Sequence, residues 1–282
     1  MKKILITGAN SYIGISFEKY IKENYPDEYI VDTIDMIDGS WRKKSFAGYD
    51  SVFHVAGIAH QKETKKNAHL YYEVNRDLAI ETAQKAKAEG VKQFIFLSSM
   101  SVYGMDTGVI TKDTSPNPKS HYGKSKWQAE QDISCLRDDN FSVCILRPPM
   151  VYGKGCKGNF QTVVKIVKIS PIFPKVKNER SMIYIDNLSS FVKCCTDGKF
   201  SGVYFPQNRE YVSTQDMVRA IALATNKKVY FDCFLGMGIL IIRTLYPTAK
   251  KGFGSLIYRN TEEFGFSYVV VGNERSFINS VS

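Results

Sequence analysis

A tyrosine and a lysine four residues apart, Tyr122 and Lys126, form the chain's most chemically suggestive pair. On a helix the two side chains share a face. An ammonium beside a phenol favours the phenolate, so the spacing predicts a tyrosine pKa below its ordinary value. Such a phenol can take a proton from a substrate hydroxyl. Upstream runs Phe96-Leu97-Ser98-Ser99-Met100-Ser101-Val102-Tyr103-Gly104, two serines at the end of an apolar stretch. If that stretch is a parallel strand, the serines fall at its C-terminal edge, where open α/β sheets bind ligands. A serine hydroxyl there can hydrogen-bond the reacting oxygen. Each motif alone recurs by chance; their order behind the N-terminal turn is what carries weight.

That turn is Thr7-Gly8-Ala9-Asn10-Ser11-Tyr12-Ile13-Gly14. A small-residue turn between a strand and a helix points backbone N–H groups at a pyrophosphate on the helix N-terminus. Gly8 permits the turn and Gly14 close helix–strand packing, with Asn10, Ser11, Tyr12 and Ile13 completing the cradle. Asp35 ends the second strand, where a carboxylate accepts hydrogen bonds from an adenosine ribose and repels a 2′-phosphate. The cofactor expected is therefore NAD. Arg42, Lys43 and Lys44 lie close downstream and keep NADP as the lesser alternative. A purely structural glycine turn is the plain alternative to the whole motif.

The elements that must position these residues alternate through the first half of the chain. Strands are predicted at 4–7, 29–34, 51–55, 93–97 and 142–146, with helices at 12–24, 70–89 and 122–136. Alternation of this kind implies a Rossmann-type, doubly wound parallel sheet with helices on both faces. Pro148-Pro149 and the glycines from Gly153 to Gly158 break the pattern and mark a lobe boundary. The expected division is a dinucleotide-binding domain at 1–152, to which 180–198 returns, and a smaller mixed substrate lobe at 153–179 and 199–282. In that lobe a strand is predicted at 181–185 and a helix at 214–225 capped by Ser213.

The chain has 282 residues, 38 basic against 28 acidic, and a net charge of +10. Such a surplus can steer anionic small molecules. No basic helix with interleaved aromatics and no zinc-finger spacing occurs, so no nucleic-acid partner is expected. The cysteines (Cys135, Cys144, Cys156, Cys194, Cys195, Cys233) include no C-x-x-C pair, which argues against a metal site and for reduced core thiols in a cytoplasmic protein. The N-terminal apolar run is too short for a signal peptide. The most apolar window, 234–246, is short for a membrane span and carries Arg243. It reads as a buried or interfacial helix, without stable membrane insertion.

The residues then match a known pattern. The sequence resembles the extended short-chain dehydrogenases, in particular the NAD-dependent sugar epimerase/dehydratase group. The resemblance spans roughly Lys2 to Leu188 and includes the turn, Asp50-Ser51-Val52-Phe53-His54-Val55-Ala56-Gly57, Val74-Asn75, the serine run, Tyr122/Lys126 and Leu146-Arg147-Pro148-Pro149-Met150-Val151-Tyr152-Gly153. It implies Tyr122 as acid/base, Lys126 as holder of that tyrosine and of the nicotinamide ribose, and Ser99 as the hydroxyl partner. Ala56 and Gly57 would lie against the cofactor, and Asn75 would brace the neighbouring strand end. Asn159 and Arg180 resemble the family's nucleotide-sugar contacts, and a cation at 180 suits a diphosphate. Ser11 departs from the pattern, standing where the turn usually has its middle glycine.

The resemblance also implies a reaction. Sugar 4,6-dehydratases carry Asp-Glu after the catalytic hydroxyl residue, and 3,5-epimerising enzymes a cysteine at the position of Met100. This chain has Met100 and Ser101, so chemistry with one hydride and one proton is expected, with Met100 facing substrate. A nucleotide-sugar 4-epimerase serving surface-polysaccharide precursor synthesis is put first, an NAD(P)H-dependent 4-keto-sugar reductase second, and a non-catalytic dinucleotide-binding regulator third. A homodimer is expected. His60 is a further candidate for the substrate side of the nicotinamide. His54 is expected to pack on its strand, and Cys156, with no histidine near it in sequence, is a poor nucleophile.

Overall fold

In a computed structural model, residues 1–59, 61–245, 253–259 and 266–281 are described, and the side chains of 240–245 are not; His60 lies outside the described residues. In chain order the elements are β1 (Lys2–Thr7), α1 (Tyr12–Asn24), β2 (Tyr29–Ile34), β3 (Ser51–His54), α2 (Ala68–Tyr72), α3 (Leu78–Ala88), β4 (Gln93–Leu97), β5 (Gly108–Ile110), α4 (His121–Ser134) and β6 (Ser142–Leu146). There follow β7 (Met150–Tyr152), α5 (Asn159–Ile169), β8 (Ile172–Pro174), β9 (Met182–Tyr184), α6 (Ile185–Asp197) and β10 (Gly202–Tyr204). The last are α7 (Thr214–Ala224), β11 (Tyr230–Asp232), α8 (Cys233–Leu245), β12 (Leu256–Tyr258) and α9 (Asn273–Val281).

By compactness the chain divides into unit 1 (Met1–Gly104, Ser115–Pro148, Leu188–Pro206) and unit 2 (Met105–Thr114, Pro149–Asn187, Gln207–Ser282). Unit 1 carries one six-stranded sheet in the order β10-β6-β4-β3-β1-β2. Every pairing in it is parallel. The apolar residues of the central strands are buried: Val52, Phe53, Phe94, Ile95, Phe96, Val143 and Ile145 are inaccessible. Parallel strands covered by helices on both faces need such continuous apolar runs rather than alternation. Reversal of the strand order between β1 and β3 puts the topological switch at the C-terminal ends of these strands.

The predicted helix over 70–89 is in fact a helical run from Ala68 to Ala88, interrupted by a five-residue π-turn at Glu73–Asp77. Such bulges often sit at functional positions. This one contains Asn75, which is fully buried. Among the six cysteines, Cys135 and Cys233 are exposed, so the reading of all six as core thiols does not hold for these two. Both sit at a helix terminus, where the chain leaves the packed face.

Among its described residues unit 2 has three parallel strand pairs, β7–β9, β8–β11 and β5–β12. Tyr152 anchors it, with its ring 4.8 Å from Phe277 and 5.3 Å from Phe160. Its buried hydroxyl bonds Ser276 and accepts from Asn208 Nδ2 at 3.0 Å. Ser213 caps α7 as predicted, its Oγ accepting from the Asp216 N–H at 3.0 Å. The apolar window does form a helix, α8, but its first turn is not buried: Phe234, Leu235 and Met237 are exposed.

Candidate active site

Helix α4 is started by its own residues and by a distant one. Ser120 Oγ accepts from the Gly123 N–H at 3.0 Å. The Glu63 carboxylate accepts from the N–H of His121 at 2.9 Å and of Tyr122 at 3.0 Å. Three of the amides that a helix leaves unpaired at its start are thus satisfied, and a negative charge faces the positive end of the helix dipole. Gly123 lets the helix press against the turn at Met100–Tyr103, because a Cβ there would stand 2.6 Å from the Ser101 carbonyl oxygen.

That close approach brings Tyr122 to Ser99. Ser99 acts on the phenol to lower its pKa, yet burial outweighs it and the pKa lies above its ordinary value. The lowering expected from Lys126 is therefore not seen. Lys126 is buried, donates to the Leu97 carbonyl at 2.8 Å and lies 4.6 Å over the Phe96 ring. Desolvation pushes its own pKa down to about 7, with Glu130 pulling the other way. An amine only partly protonated near neutrality is a weak stabiliser of a phenolate.

The two serines have separate duties. Ser98 is buried and donates to Glu130, whereas Ser99 is half-buried and its Oγ accepts from the Ser101 N–H at 3.1 Å. Glu130 also receives Arg147, with Nε 3.1 Å from both carboxylate oxygens and Nη2 2.5 Å from one. Arg147 Nη1 donates to the Tyr103 hydroxyl at 2.7 Å. This buried ion pair lies one helical turn below Lys126 and ties α4 to β4 and β6. Glu63, Gly123 and Glu130 were missed as site residues; the signal for Glu130 was an acid four residues past Lys126 on a buried face.

Asn75 holds the segment after β3 by its backbone. Its Oδ1 accepts from the Ile58 N–H at 2.7 Å, and its Nδ2 donates to the Ile58 carbonyl at 3.1 Å and to Ser125 Oγ at 3.3 Å. Gly57 is required there, since a Cβ would lie 2.9 Å from Asn75 Oδ1 and 3.4 Å from Lys126 Nζ. His54 packs as expected, stacked on Phe94 and Phe96 with Nδ1 2.8 Å from Thr7 Oγ1. Burial first, and the Lys126 charge second, hold its pKa down at about 3, so it stays neutral. Cys156 is buried, and burial pushes its thiol up, which suits an inert side chain.

A family model described as the NAD dependent epimerase/dehydratase family matches residues 4–231. The chain belongs to this family. Among relatives, a UDP-glucose 4-epimerase of Vibrio cholerae is 30% identical over 254 residues, covering 81% of this chain and 77% of that one. An N-acetyl-alpha-D-glucosaminyl-diphospho-ditrans,octacis-undecaprenol 4-epimerase of Escherichia coli O157:H7 is 27% identical, covering 80% and 73%. The solved structure of MoeE5 in complex with UDP-glucose and NAD shares the fold at a TM-score of 0.76, with 20% identity and 99% and 97% coverage. This member of the epimerase/dehydratase family is thus an NAD-dependent enzyme of the extended short-chain dehydrogenase type.

The turn fits the family's cofactor. Gly8 has φ of +106°, and a Cβ there would stand 2.9 Å from the Ala56 N, so any side chain would fill the crook between β1 and β3. A Cβ on Gly14 would meet Ile6 and Val55 at 3.1 Å. Ser11 serves as the N-cap of α1, its Oγ accepting from Gly14 N–H at 3.0 Å. It thereby takes one of the donors a phosphate would otherwise use. The Tyr12 and Ile13 amides follow in the first turn, where an anion is favoured. Asp35 is exposed; it accepts from the Ile37 N–H at 2.9 Å, and Asn10 Nδ2 reaches it at 3.5 Å. Of the three basic residues that could offset Asp35, Arg42 is instead paired with Glu81 and stacked 4.8 Å over Trp41.

Of the residues expected to hold substrate, Met100 opens the turn after Ser99 in unit 1, its N–H donating to the Pro148 carbonyl at 2.9 Å. The other two lie in unit 2. Asn159 is exposed at the first position of α5. Arg180 is half-buried, bridges its backbone to Val212 and donates from Nη1 to the Gly254 carbonyl at 2.9 Å. Burial depresses its pKa, opposed by Asp106.

Proposed function

We propose that the chain is an NAD-dependent nucleotide-sugar 4-epimerase acting by transient oxidation at C4. The observation that carries this reading is the packing of α4, through Gly123, against the turn that follows Ser99, so that Tyr122 feels Ser99 on the same helix that carries the buried Lys126, with Met100 and Ser101 following. Tyr122 is the proton-transfer group, and Met100 and Ser101, which follow Ser99, offer no acid or base for dehydration. The Vibrio cholerae and Escherichia coli relatives, both named 4-epimerases, support it.

In this reading unit 1 binds the dinucleotide and unit 2 the substrate's nucleotide end, through Asn159 and Arg180. Bound NAD would supply reversible hydride acceptance, which allows C4 to be oxidised and then reduced from the other face. Tyr122 takes the C4 hydroxyl proton and gives it back, while Ser99 holds the same oxygen. Lys126 would hold Tyr122 and the nicotinamide ribose, Asn75 braces the segment after β3, Gly8, Asn10, Ser11, Tyr12, Ile13 and Gly14 would hold the pyrophosphate and Asp35 the adenosine ribose, and Ala56 and Gly57 would lie against the cofactor. A homodimer and a place in surface-polysaccharide precursor synthesis complete the proposal.

The test is conversion of UDP-glucose to UDP-galactose by the purified protein without added reductant. Tyr122→Phe should lower kcat by about 10²–10⁴-fold with little change in KM. Unchanged turnover in that variant would remove Tyr122 from the chemistry. Consumption of NAD(P)H on a 4-keto-sugar, with no epimerisation, would establish the reductase instead.

A further inference from the structure

We infer that unit 2 seats on an anionic membrane surface through the face formed by the end of α5, the β8–β11 ribbon and the first turn of α8. The apolar part of this face is unusually bare. Ile169 is 82% exposed, Tyr230 64% and Phe234 78%, and Ile172, Leu235 and Met237 are each about half exposed. Soluble proteins scatter such residues singly; contiguous ones mark an interaction site.

Here they are contiguous by construction. Ile172 and Tyr230 are register partners in the parallel ribbon, and the Tyr230 N–H donates to the Pro171 carbonyl at 2.8 Å. Ile169 ends α5, three residues before Ile172. α8 begins directly after β11, capped by Asp232 Oδ1 accepting from the Leu235 N–H at 2.7 Å. Its Gly236 lies against the Lys175 backbone, where a Cβ would stand 2.3 Å from the carbonyl oxygen. The first turn of α8 is therefore pinned to the end of β8 with Phe234, Leu235 and Met237 facing outward.

Charge selects the occupant. The stretch 159–177 holds four exposed lysines and no acid; 223–239 holds two exposed lysines and Asp232, whose carboxylate is spent on the helix cap. None of the six lysines is in an ion pair among the described residues. A self-complementary contact with a second copy would set lysines against lysines. Apolar side chains ringed by lysines instead match the boundary between anionic headgroups and acyl chains. Attachment is peripheral, because no helix among the described residues is long and apolar enough to cross a membrane.

The experiment is co-sedimentation of the full-length protein with vesicles of phosphatidylcholine containing phosphatidylglycerol, and with phosphatidylcholine alone. Two variants accompany it: Phe234→Ser/Leu235→Ser/Met237→Ser and Lys165→Glu/Lys168→Glu/Lys227→Glu/Lys228→Glu. Binding to anionic vesicles only, weakened by salt and reduced about tenfold or more in each variant, is the expected result. Both variants should keep the wild-type melting temperature, since every altered side chain is exposed. No binding to anionic vesicles, equal binding to neutral ones, or binding undiminished in the serine variant would overturn the inference. So would a concentration-dependent dimer that the serine variant abolishes in place of vesicle binding. Turnover of a soluble nucleotide sugar does not enter this test, so the membrane inference and the proposed reaction stand or fall separately.

Discussion

Replacing Glu130 by glutamine tests whether the buried ion pair sets the charge of Lys126. The carboxylate is almost inaccessible and receives Arg147 through Nε and Nη2, besides the Ser98 hydroxyl. Glutamine keeps the shape but loses the charge, and its amide N–H₂ then faces the donors of Arg147. Breaking one side of a buried pair costs about 3–5 kcal/mol, because the remaining guanidinium is left uncompensated. For a chain of this size that is a fall in melting temperature of roughly 10 °C. The same substitution removes the charge that favours protonated Lys126, so an amine already at about 7 moves lower. Where turnover needs that ammonium, the alkaline limb of the kcat profile shifts toward acid. The double variant Glu130→Met/Arg147→Met separates the two effects: apolar replacement of both partners recovers stability, while the displaced limb remains. Thermal melts and pH–rate profiles of the three proteins decide the matter. A Glu130→Gln protein with unchanged melting temperature, or a limb that returns in the double variant, would refute the reasoning.

Two further predictions concern neighbouring groups. Lys126 titrates at about 7 in the folded protein against an ordinary 10.5. The unfolded chain therefore binds more protons across that window. Wild-type stability rises with pH between those values, and the penalty is fully present below 7. Lys126→Met abolishes the penalty, so its stability advantage over wild type should shrink by roughly 3 kcal/mol from pH 6 to pH 9 in urea melts; a pH-independent difference would contradict the buried-amine account. Glu63→Ala strips two hydrogen bonds from the first turn of α4. It should cost about 1–2 kcal/mol and speed amide hydrogen exchange at His121 and Tyr122, and unaltered exchange there would show that Ser120 alone starts the helix.

Much of the architecture was legible because its causes are local. Continuous apolar runs mark strands buried on both faces, as at Gln93–Leu97 and Ser142–Leu146. A cap announces a helix start, as Ser213 does. The Gly8 turn, the acid after β2 and the four-residue Tyr–Lys spacing are short-range patterns, so they could be read before any contact was known. Arg42 shows the limit: its nearness to Asp35 in sequence suggested a 2′-phosphate partner, but Glu81, distant in sequence, claims it.

The alternation of strands and helices through the first half of the chain, the dinucleotide turn and the four-residue spacing of Tyr122 and Lys126 belong to the sequence, because propensity and spacing act over a few residues. The charge states of that pair belong to the fold. Whether a phenol or an amine is stripped of water, and whether Glu63, 59 residues before Tyr122, or Arg147, 17 residues past Glu130, comes within reach, depends on which distant segments close over it. Desolvation and long-range contact are properties of the packed chain, and they decided the direction of the Tyr122 pKa, the near-neutral titration of Lys126 and the exposure of Phe234.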